Sequence, residues 1–132
     1  MLKKEKKIRI ALIEDDPFLS SMYSTKFELE GFGVLAANDG IKGLELISTE
    51  IPDLILLDVL MPKKNGFGVL EDIKKNKETK DIPVILLTNL NQEEEVERGM
   101  ELGAVDYLVK AHFMPSEVIT KIKNLVNENI LK

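Results

Sequence analysis

Residues 54–62 read LILLDVLMP, an apolar run that reaches Asp58 and leads into a short segment closed by Pro62. The first four side chains do not alternate between polar and apolar, which is typical of a strand covered on both faces of a parallel sheet. Comparable runs occur at Ile8–Ile13, Val84–Leu87 and Tyr107–Val109, with a weaker one at Gly33–Ala37. The sequence therefore predicts five short strands in one sheet.

The segments between these runs carry apolar residues three or four positions apart, the spacing of helices with one buried face. The predicted buried positions are Leu19, Met22, Tyr23 and Phe27; Ile41, Leu44 and Ile47; Phe67, Leu70 and Ile73; Val96, Met100 and Leu102; and Val118, Ile122, Leu125 and Val126. The predicted boundary residues are Asp16 with Pro17 and Asn91 with Glu94 at helix starts, and Gly31 and Gly103 at helix ends. Strands alternating with helices predict a doubly wound α/β fold of the form (βα)5.

Length and charge indicate a single domain without a nucleic-acid or membrane partner. The chain has 132 residues, of which 44% are apolar and 31% charged, and no linker-like segment divides it. Residues 1–6 form a basic tail, but the following apolar run is too short for a signal peptide or a membrane span. A net charge of −5 disfavours phosphate-backbone binding. We therefore expect one cytoplasmic domain over residues 1–132.

The residue inventory restricts the possible chemistry. The chain has no cysteine and one histidine, His112. This excludes disulfides, thiolate metal sites and cysteine nucleophiles, and disfavours a Ser-His-Asp triad. Reactive groups and metal ligands must therefore be oxygen atoms and lysine.

Polar residues follow the predicted strands at the edge where parallel α/β sheets bind ligands, the carboxyl ends of the strands. Each has an ordinary structural explanation, such as a helix cap, a turn or a surface lysine, but their shared edge favours a common site. Clustered carboxylates repel one another unless a cation lies between them, and Mg²⁺ suits oxygen ligands. An aspartate beside such a metal can accept a phosphoryl group, while lysine and threonine bind its oxygens. The residues concerned are Glu14, Asp15, Asp16, Asp58, Thr88 and Lys110.

Five motifs in order give the chain, from about Lys7 to Val126, a resemblance to the receiver domains of two-component response regulators. They are Ile13-Glu14-Asp15-Asp16-Pro17, the 54–62 stretch, Asn65-Gly66, Val84–Thr88 and Gly103–Lys110. The resemblance implies a flavodoxin-like sheet in the order 2-1-3-4-5. It also implies that the chain is a freestanding switch that accepts a phosphoryl group from a histidine kinase or phosphotransfer protein.

Family roles follow the matching positions. The resemblance implies Asp58 as phosphoacceptor, Asp16 as a direct Mg²⁺ ligand, Asp15 as a ligand through water, the Leu60 main-chain carbonyl as a further ligand, Thr88 as switch hydroxyl, Lys110 as phosphate-binding lysine and Tyr107 as the aromatic that follows the threonine. Phosphorylation would then change the face formed by the fourth helix, fifth strand and fifth helix, where a downstream protein binds. The protein would be a monomer or a phosphorylation-dependent dimer, with no enzymatic activity beyond its own phosphorylation and slow dephosphorylation.

Three positions depart from the family pattern. Ala111 follows Lys110 where the family usually has a proline in a cis peptide, and the short connection favours a retained cis bond. Asn89 replaces a small residue after the threonine. Leu60 has no polar side chain that could orient a hydrolytic water, which favours a long-lived phosphoryl group.

Three alternatives remain from the sequence. The chain could be a receiver cut from a larger regulator or hybrid kinase. It could be a phosphatase of the haloacid dehalogenase type, although Leu60 stands where that family needs a second aspartate. It could bind FMN in a flavodoxin-like manner, although the acidic edge would repel the cofactor's phosphate and the chain has no tryptophan for stacking.

Overall fold

A computed structural model describes residues 7–88, 93–110 and 115–130. Five strands alternate with five helices among them, as predicted. In chain order they are β1 (Arg9–Ile13), α1 (Pro17–Leu29), β2 (Gly33–Ala37), α2 (Gly40–Glu50), β3 (Leu54–Asp58), α3 (Gly66–Lys75), β4 (Val84–Thr88), α4 (Glu93–Glu101), β5 (Asp106–Val109) and α5 (Pro115–Asn129). The basic tail, Asn89, the Asn91 cap, the Lys110–Ala111 peptide and His112 involve positions outside the described residues, so the expectations for them stay predictions.

The strands form one parallel sheet in the order β2-β1-β3-β4-β5, which confirms the predicted topology. The register pairs Ile13 with Leu57, so β1 and β3 end side by side near the centre of the sheet. Asp58 at the end of β3 pairs with Leu87, one residue before the end of β4. The carboxyl ends of the three central strands therefore meet at one edge.

Side chains on the two faces of the sheet enter two separate cores. Ile10 and Leu12 of β1 pack with Phe27 of α1 and with the buried residues of α5. Ala11 and Ile13 pack on the opposite face, where α2 and α3 cover the sheet. Because consecutive side chains are buried on opposite faces of the sheet, these strands show no alternation between polar and apolar residues in the sequence.

The helix boundaries follow the local signals that were predicted from the sequence. Asp16 caps α1 directly before Pro17. Gly31 and Gly103 follow α1 and α4 with φ angles of 91° and 110°, in the left-handed region that glycine adopts without a Cβ clash. None of the described helices is long and apolar enough to cross a membrane.

Two predicted core positions are exposed instead. Ile41 of α2 and Met100 of α4 are 54% and 41% accessible. Glycines of both helices lie directly against the sheet: a Cβ at Gly43 would lie 2.6 Å from Ile13 Cγ2, and one at Gly99 would overlap Leu86 Cδ1. The helices therefore approach the sheet through their smallest residues, and the larger side chains fall outside the contact. Apolar spacing alone does not reveal such a contact because glycine carries no apolar side chain.

Candidate functional site

The predicted polar residues lie at the carboxyl edge of the sheet, where the strand ends place them. Glu14 directly follows β1, and its N–H donates to Ala37 O at 3.1 Å, which extends the sheet by one residue. Asp58 and Thr88 are the last residues of β3 and β4. Lys110 follows β5, and its N–H donates to Thr88 O at 2.9 Å. Regular parallel pairing thus brings side chains from distant parts of the sequence to one edge.

Lys110 links two buried carboxylates. Its Nζ lies 2.8 Å from Glu14 Oε1 and 3.0 Å from Asp58 Oδ2. Burial alone would lower the pKa of Lys110, but the hydrogen bond with Glu14 and the attraction of Asp58 outweigh it, so the pKa is raised. The ammonium is therefore charged and is shared between the two acidic groups.

Glu14, Asp15 and Asp58 form an acidic cluster in which one carboxylate oxygen of each lies within 4.8 Å of the others. Burial, followed by the neighbouring Glu14, raises the pKa of Asp58 to about 8, because together they outweigh the lowering by Lys110. Among the described residues, Glu14 Oε2 is a buried atom that has no hydrogen-bond donor. One ammonium does not compensate this concentration of acidic oxygens, and the donor set fits a hard divalent cation such as Mg²⁺.

Asp16 is not part of this cluster, and its role as a direct metal ligand stays a prediction. Asp16 Oδ1 accepts the N–H of Phe18 at 2.9 Å and the N–H of Leu19 at 3.3 Å. These bonds satisfy amides that the first turn of α1 leaves without helical partners. The position next to Asp58 belongs instead to Glu14 and Asp15, one residue earlier in the chain.

Glu14 is the site residue to which the sequence analysis gave no role. It stood among the acidic residues after the first strand, but the ligand roles were given to Asp15 and Asp16. The informative signal was Pro17, because a proline in the first helical turn marks the preceding Asp16 as the cap. A cap holds its side chain at the first turn of the helix, and Glu14 and Asp15 are the acidic pair that lies beside Asp58.

The Thr88 hydroxyl contacts β5, and the Tyr107 ring is partly exposed at the surface. Thr88 is buried, and its Oγ1 donates to Leu108 O over a long 3.4 Å. Tyr107 is 37% accessible, and Lys121 Nζ lies 5.4 Å from the centre of its ring. Leu60, whose main-chain carbonyl was predicted as a ligand, follows Asp58 by two residues in the segment between β3 and α3, and its side chain is 55% accessible.

A family model described as the response regulator receiver domain matches residues 10–123. The chain belongs to this family. The match spans the acidic pair, the β3 aspartate and the lysine after β5, so it includes the whole cluster described above. The receiver family assignment confirms the resemblance that the five motifs indicated.

Curated receiver-containing relatives are transcriptional regulators. The chain is 41% identical over 118 residues to the DNA-binding dual master transcriptional regulator RpaA of Synechocystis, covering 89% of this chain and 48% of the relative. It is 40% identical over 121 residues to the transcriptional regulatory protein CpxR of Escherichia coli, covering 92% of this chain and 50% of the relative. The chain thus spans about half the length of these relatives.

Solved receiver structures share the whole fold. The receiver domain of a Francisella response regulator superposes with a TM-score of 0.83 at 31% identity, covering 92% of this chain and 98% of that one. A chemotaxis response regulator of Vibrio cholerae superposes with a TM-score of 0.85 at 25% identity, covering 91% of this chain and 99% of that one. The five-strand order is therefore the receiver architecture.

Proposed function

We propose that this receiver is a Mg²⁺-dependent switch in which Asp58 accepts a phosphoryl group from a histidine kinase or a phosphotransfer protein. The observation that carries the proposal is the contact of Lys110 Nζ with both Asp58 and Glu14, beside a Glu14 oxygen that no described group satisfies. A buried carboxylate with a lysine on one side and spare acidic oxygens on the other is suited to bind a metal and a phosphoryl group together.

The donor set favours Glu14, Asp15 and Asp58 as the side chains that hold Mg²⁺, together with the Leu60 main-chain carbonyl that the family pattern implies. Bound Mg²⁺ would neutralise the negative charge that builds up when a phosphoryl group approaches the carboxylates. Asp15 is exposed while Glu14 and Asp58 are buried, so the cluster opens toward solvent on the Asp15 side. A phosphodonor can therefore approach from that side without opening the core.

The chemical step follows from the positions of Asp58 and Lys110. Bound Mg²⁺ would favour the ionised form of Asp58, which is otherwise protonated near neutral pH because its pKa is about 8. A carboxylate oxygen of Asp58 then attacks the phosphorus, and the bond from phosphorus to the donor's histidine nitrogen breaks as the new P–O bond forms. The imidazole leaves with the electron pair of the broken bond. Lys110 Nζ, already 3.0 Å from Asp58 Oδ2, pairs with an incoming phosphoryl oxygen and stabilises its charge.

The output arises from Thr88 and Tyr107. The Thr88 hydroxyl exchanges its weak bond to Leu108 O for a phosphoryl oxygen, which is a stronger, charge-assisted acceptor. The space left behind allows the Tyr107 ring to turn inward. This changes the α4-β5-α5 face, and a downstream protein that binds the changed face shifts the equilibrium between the two states.

Turnover of other substrates is not part of the proposed function. A phosphatase needs an acid or base beside the aspartyl phosphate, and the position two residues after Asp58 is Leu60. We propose slow self-dephosphorylation only, in the cytoplasm. Because the chain spans about half the length of its relatives, a receiver within a longer regulator is the second candidate. The intact mass of the native gene product would give its length. Size-exclusion chromatography with and without acetyl phosphate would give its oligomeric state.

The test is incubation with acetyl phosphate and Mg²⁺ followed by intact mass measurement. The native chain should gain one phosphoryl group, and EDTA should prevent the gain. Asp58→Ala should gain none, whereas Asp81→Ala, a matched change at an exposed aspartate outside the site, should behave like the native chain. An adduct of unchanged size and rate in Asp58→Ala would refute the acceptor assignment.

A further inference from the structure

The segment between β3 and α3, residues 59–65, follows the phosphoacceptor and packs beside the segment between β2 and α2. Asp39 is the last residue of that second segment, and Gly40 is the first residue of α2; both are buried, although the proposed reaction uses neither. Asp39 is a charged residue with only 5% of its side chain accessible. A buried charge outside the reaction requires a structural or positioning explanation.

Gly40, at the start of α2, lies directly against the backbone of the 59–65 segment. A Cβ placed on Gly40 would lie 2.7 Å from Lys64 C and 2.8 Å from Lys64 Cβ, and still closer to Lys64 O. Real Cβ atoms are not found at such distances, so any larger residue would displace the backbone at Lys64. The displaced atoms belong to the main chain, which cannot move aside as a side-chain tip can.

Asp39 uses its two oxygens for different contacts. Oδ1 accepts the N–H of Lys42 at 2.8 Å and caps α2. Oδ2 lies 3.6 Å from Lys63 Nζ. Lys63 has a φ angle of 68°, a left-handed conformation that a residue with a Cβ adopts only when its surroundings hold it there. Asp39 therefore holds the start of α2 and also attracts the strained residue of the neighbouring segment.

The other side of the 59–65 segment is fixed at the phosphoacceptor itself. The N–H of Gly66 donates to Val59 O at 2.8 Å, which closes the segment into a loop. A Cβ at Gly66 would lie 2.9 Å from Val59 Cα and closer still to Asp58 O. The loop is thus held at its base by Gly66 and on its outer side by Asp39 and Gly40, with Leu60 between these two attachments.

We propose that Asp39 and Gly40 are positioning residues that fix the 59–65 loop and, through it, the Leu60 carbonyl on the metal. The inference rests on the proposed function, since it assigns the loop a role in Mg²⁺ binding. Neither residue touches the metal or the phosphoryl group. They set the place of a main-chain ligand that no side-chain substitution at Leu60 can remove.

The decisive variant is Gly40→Ala, with Gly68→Ala as its matched control. A Cβ at Gly68 would lie 3.3 Å from Lys64 Cε, the flexible end of a side chain, so the control adds the same methyl group without moving the backbone. Each variant is phosphorylated with acetyl phosphate over a range of Mg²⁺ concentrations, at a temperature where circular dichroism shows it to be fully folded. Displacement of a ligand by a fraction of an ångström should raise the half-saturating Mg²⁺ concentration about tenfold in Gly40→Ala.

A positioning role predicts that the rate at saturating Mg²⁺ stays within about twofold of the native rate, because Asp58 and Lys110 are unchanged. Gly68→Ala should match the native chain in both quantities. If Gly40→Ala folds and its half-saturating Mg²⁺ concentration equals that of the native chain, the proposed role of the backbone contact is overturned. Failure of the native chain and of Gly68→Ala to become phosphorylated would instead refute the proposed function.

Asp39→Asn tests the carboxylate, and it decides the proposal if Gly40→Ala does not fold. Its amide oxygen still accepts the Lys42 N–H, so α2 keeps its cap, while the attraction for Lys63 is lost. We expect the half-saturating Mg²⁺ concentration to rise about threefold, as suits a partly exposed ion pair. An unchanged half-saturating Mg²⁺ concentration in this variant would overturn the positioning role proposed for Asp39.

Discussion

The acidic residues after β1 show how neighbouring side chains of the same type take different roles. Glu14 is buried and bonded to Lys110, Asp15 is exposed within the cluster, and Asp16 caps α1. Glu14 and Asp15 lie in the cluster with Asp58, whereas the next residue, Asp16, already accepts the first free amides of α1. The role of each residue follows from its distance along the chain to the first turn of α1.

Asp15→Asn should therefore change mainly Mg²⁺ affinity, and Asp16→Ala mainly stability. Asp15→Asn removes one ligand charge and should weaken Mg²⁺ binding about tenfold, with little change in the metal-free melting temperature. Asp16→Ala removes a helix cap and should lower the free energy of unfolding by about 1 kcal/mol, with Mg²⁺ affinity within about twofold of native. Isothermal titration with Mg²⁺ and thermal melting in EDTA measure the two quantities.

Asp16→Asn is the control for this pair, because asparagine is as good a cap as aspartate. It should resemble the native chain in stability and in metal affinity. Loss of Mg²⁺ binding in Asp16→Asn, with native binding in Asp15→Asn, would identify Asp16 as the ligand.

At the scale of single elements, an ionisable residue that caps a helix makes the stability of the fold depend on pH. The carboxylate of Asp39 caps α2, and the hydrogen bond from Lys42 N–H, together with the charge of Lys63, holds its pKa below the ordinary value against the opposing effect of burial. A lowered pKa in the folded state means that the ionised form stabilises the fold. This stabilisation is complete above the pKa of the unfolded chain and is lost as the pH falls through the folded pKa.

Comparing the stability of the native chain and of Asp39→Asn across pH should reveal the contribution of the Asp39 charge. Near pH 7 the native chain should be more stable than the variant, because asparagine keeps the cap but has no charge to interact with Lys63 and the amides. The difference should shrink below about pH 4 and vanish near pH 2, where Asp39 is protonated. Urea unfolding at a series of pH values measures it. A difference that stays constant down to pH 2 would assign the effect to packing of the side chain.

At the scale of the whole molecule, the sheet connects Asp58, the proposed phosphoacceptor, to the α4-β5-α5 face. Asp58, Thr88 and Tyr107 lie on three adjacent strands, β3, β4 and β5. A change at Asp58 therefore needs to cross only one strand to reach Tyr107. The packed sheet between them has few intermediate arrangements, which favours a two-state response.

Beryllofluoride with Mg²⁺, a mimic of the phosphoryl group, should reduce the accessibility of Tyr107. The chain has two tyrosines and no tryptophan, so Tyr23→Phe leaves Tyr107 as its only tyrosine. Acrylamide quenching of its fluorescence should fall about twofold on activation if the ring turns inward. Thr88→Ala in the same background should abolish the fall. Equal quenching before and after activation, with bound beryllofluoride confirmed by ¹⁹F NMR, would contradict the proposed coupling.

The fold could be predicted almost completely because its signals are local. Unbroken apolar runs such as Leu54–Leu57 mark strands that are covered on both faces, and Pro17 and Gly31 mark helix boundaries through their own backbone preferences. The exposed positions of Ile41 and Met100 were missed because helix contact with the sheet depends on Gly43 and Gly99, whose importance appears only when the opposing side chain is known.

The family motifs were enough to predict the strand order, the chemical types at the sheet edge and Asp58 as the candidate acceptor. The three-dimensional contacts were needed to establish which acidic residues meet Asp58, that Lys110 lies between Asp58 and Glu14, and that Gly40 abuts the backbone at Lys64. The reason is physical. Chain connectivity and apolar patterning constrain the backbone to a few topologies. Contacts of a few ångströms between residues 24 or more positions apart, such as Gly40 and Lys64, depend instead on register and on the direction in which each side chain leaves the backbone.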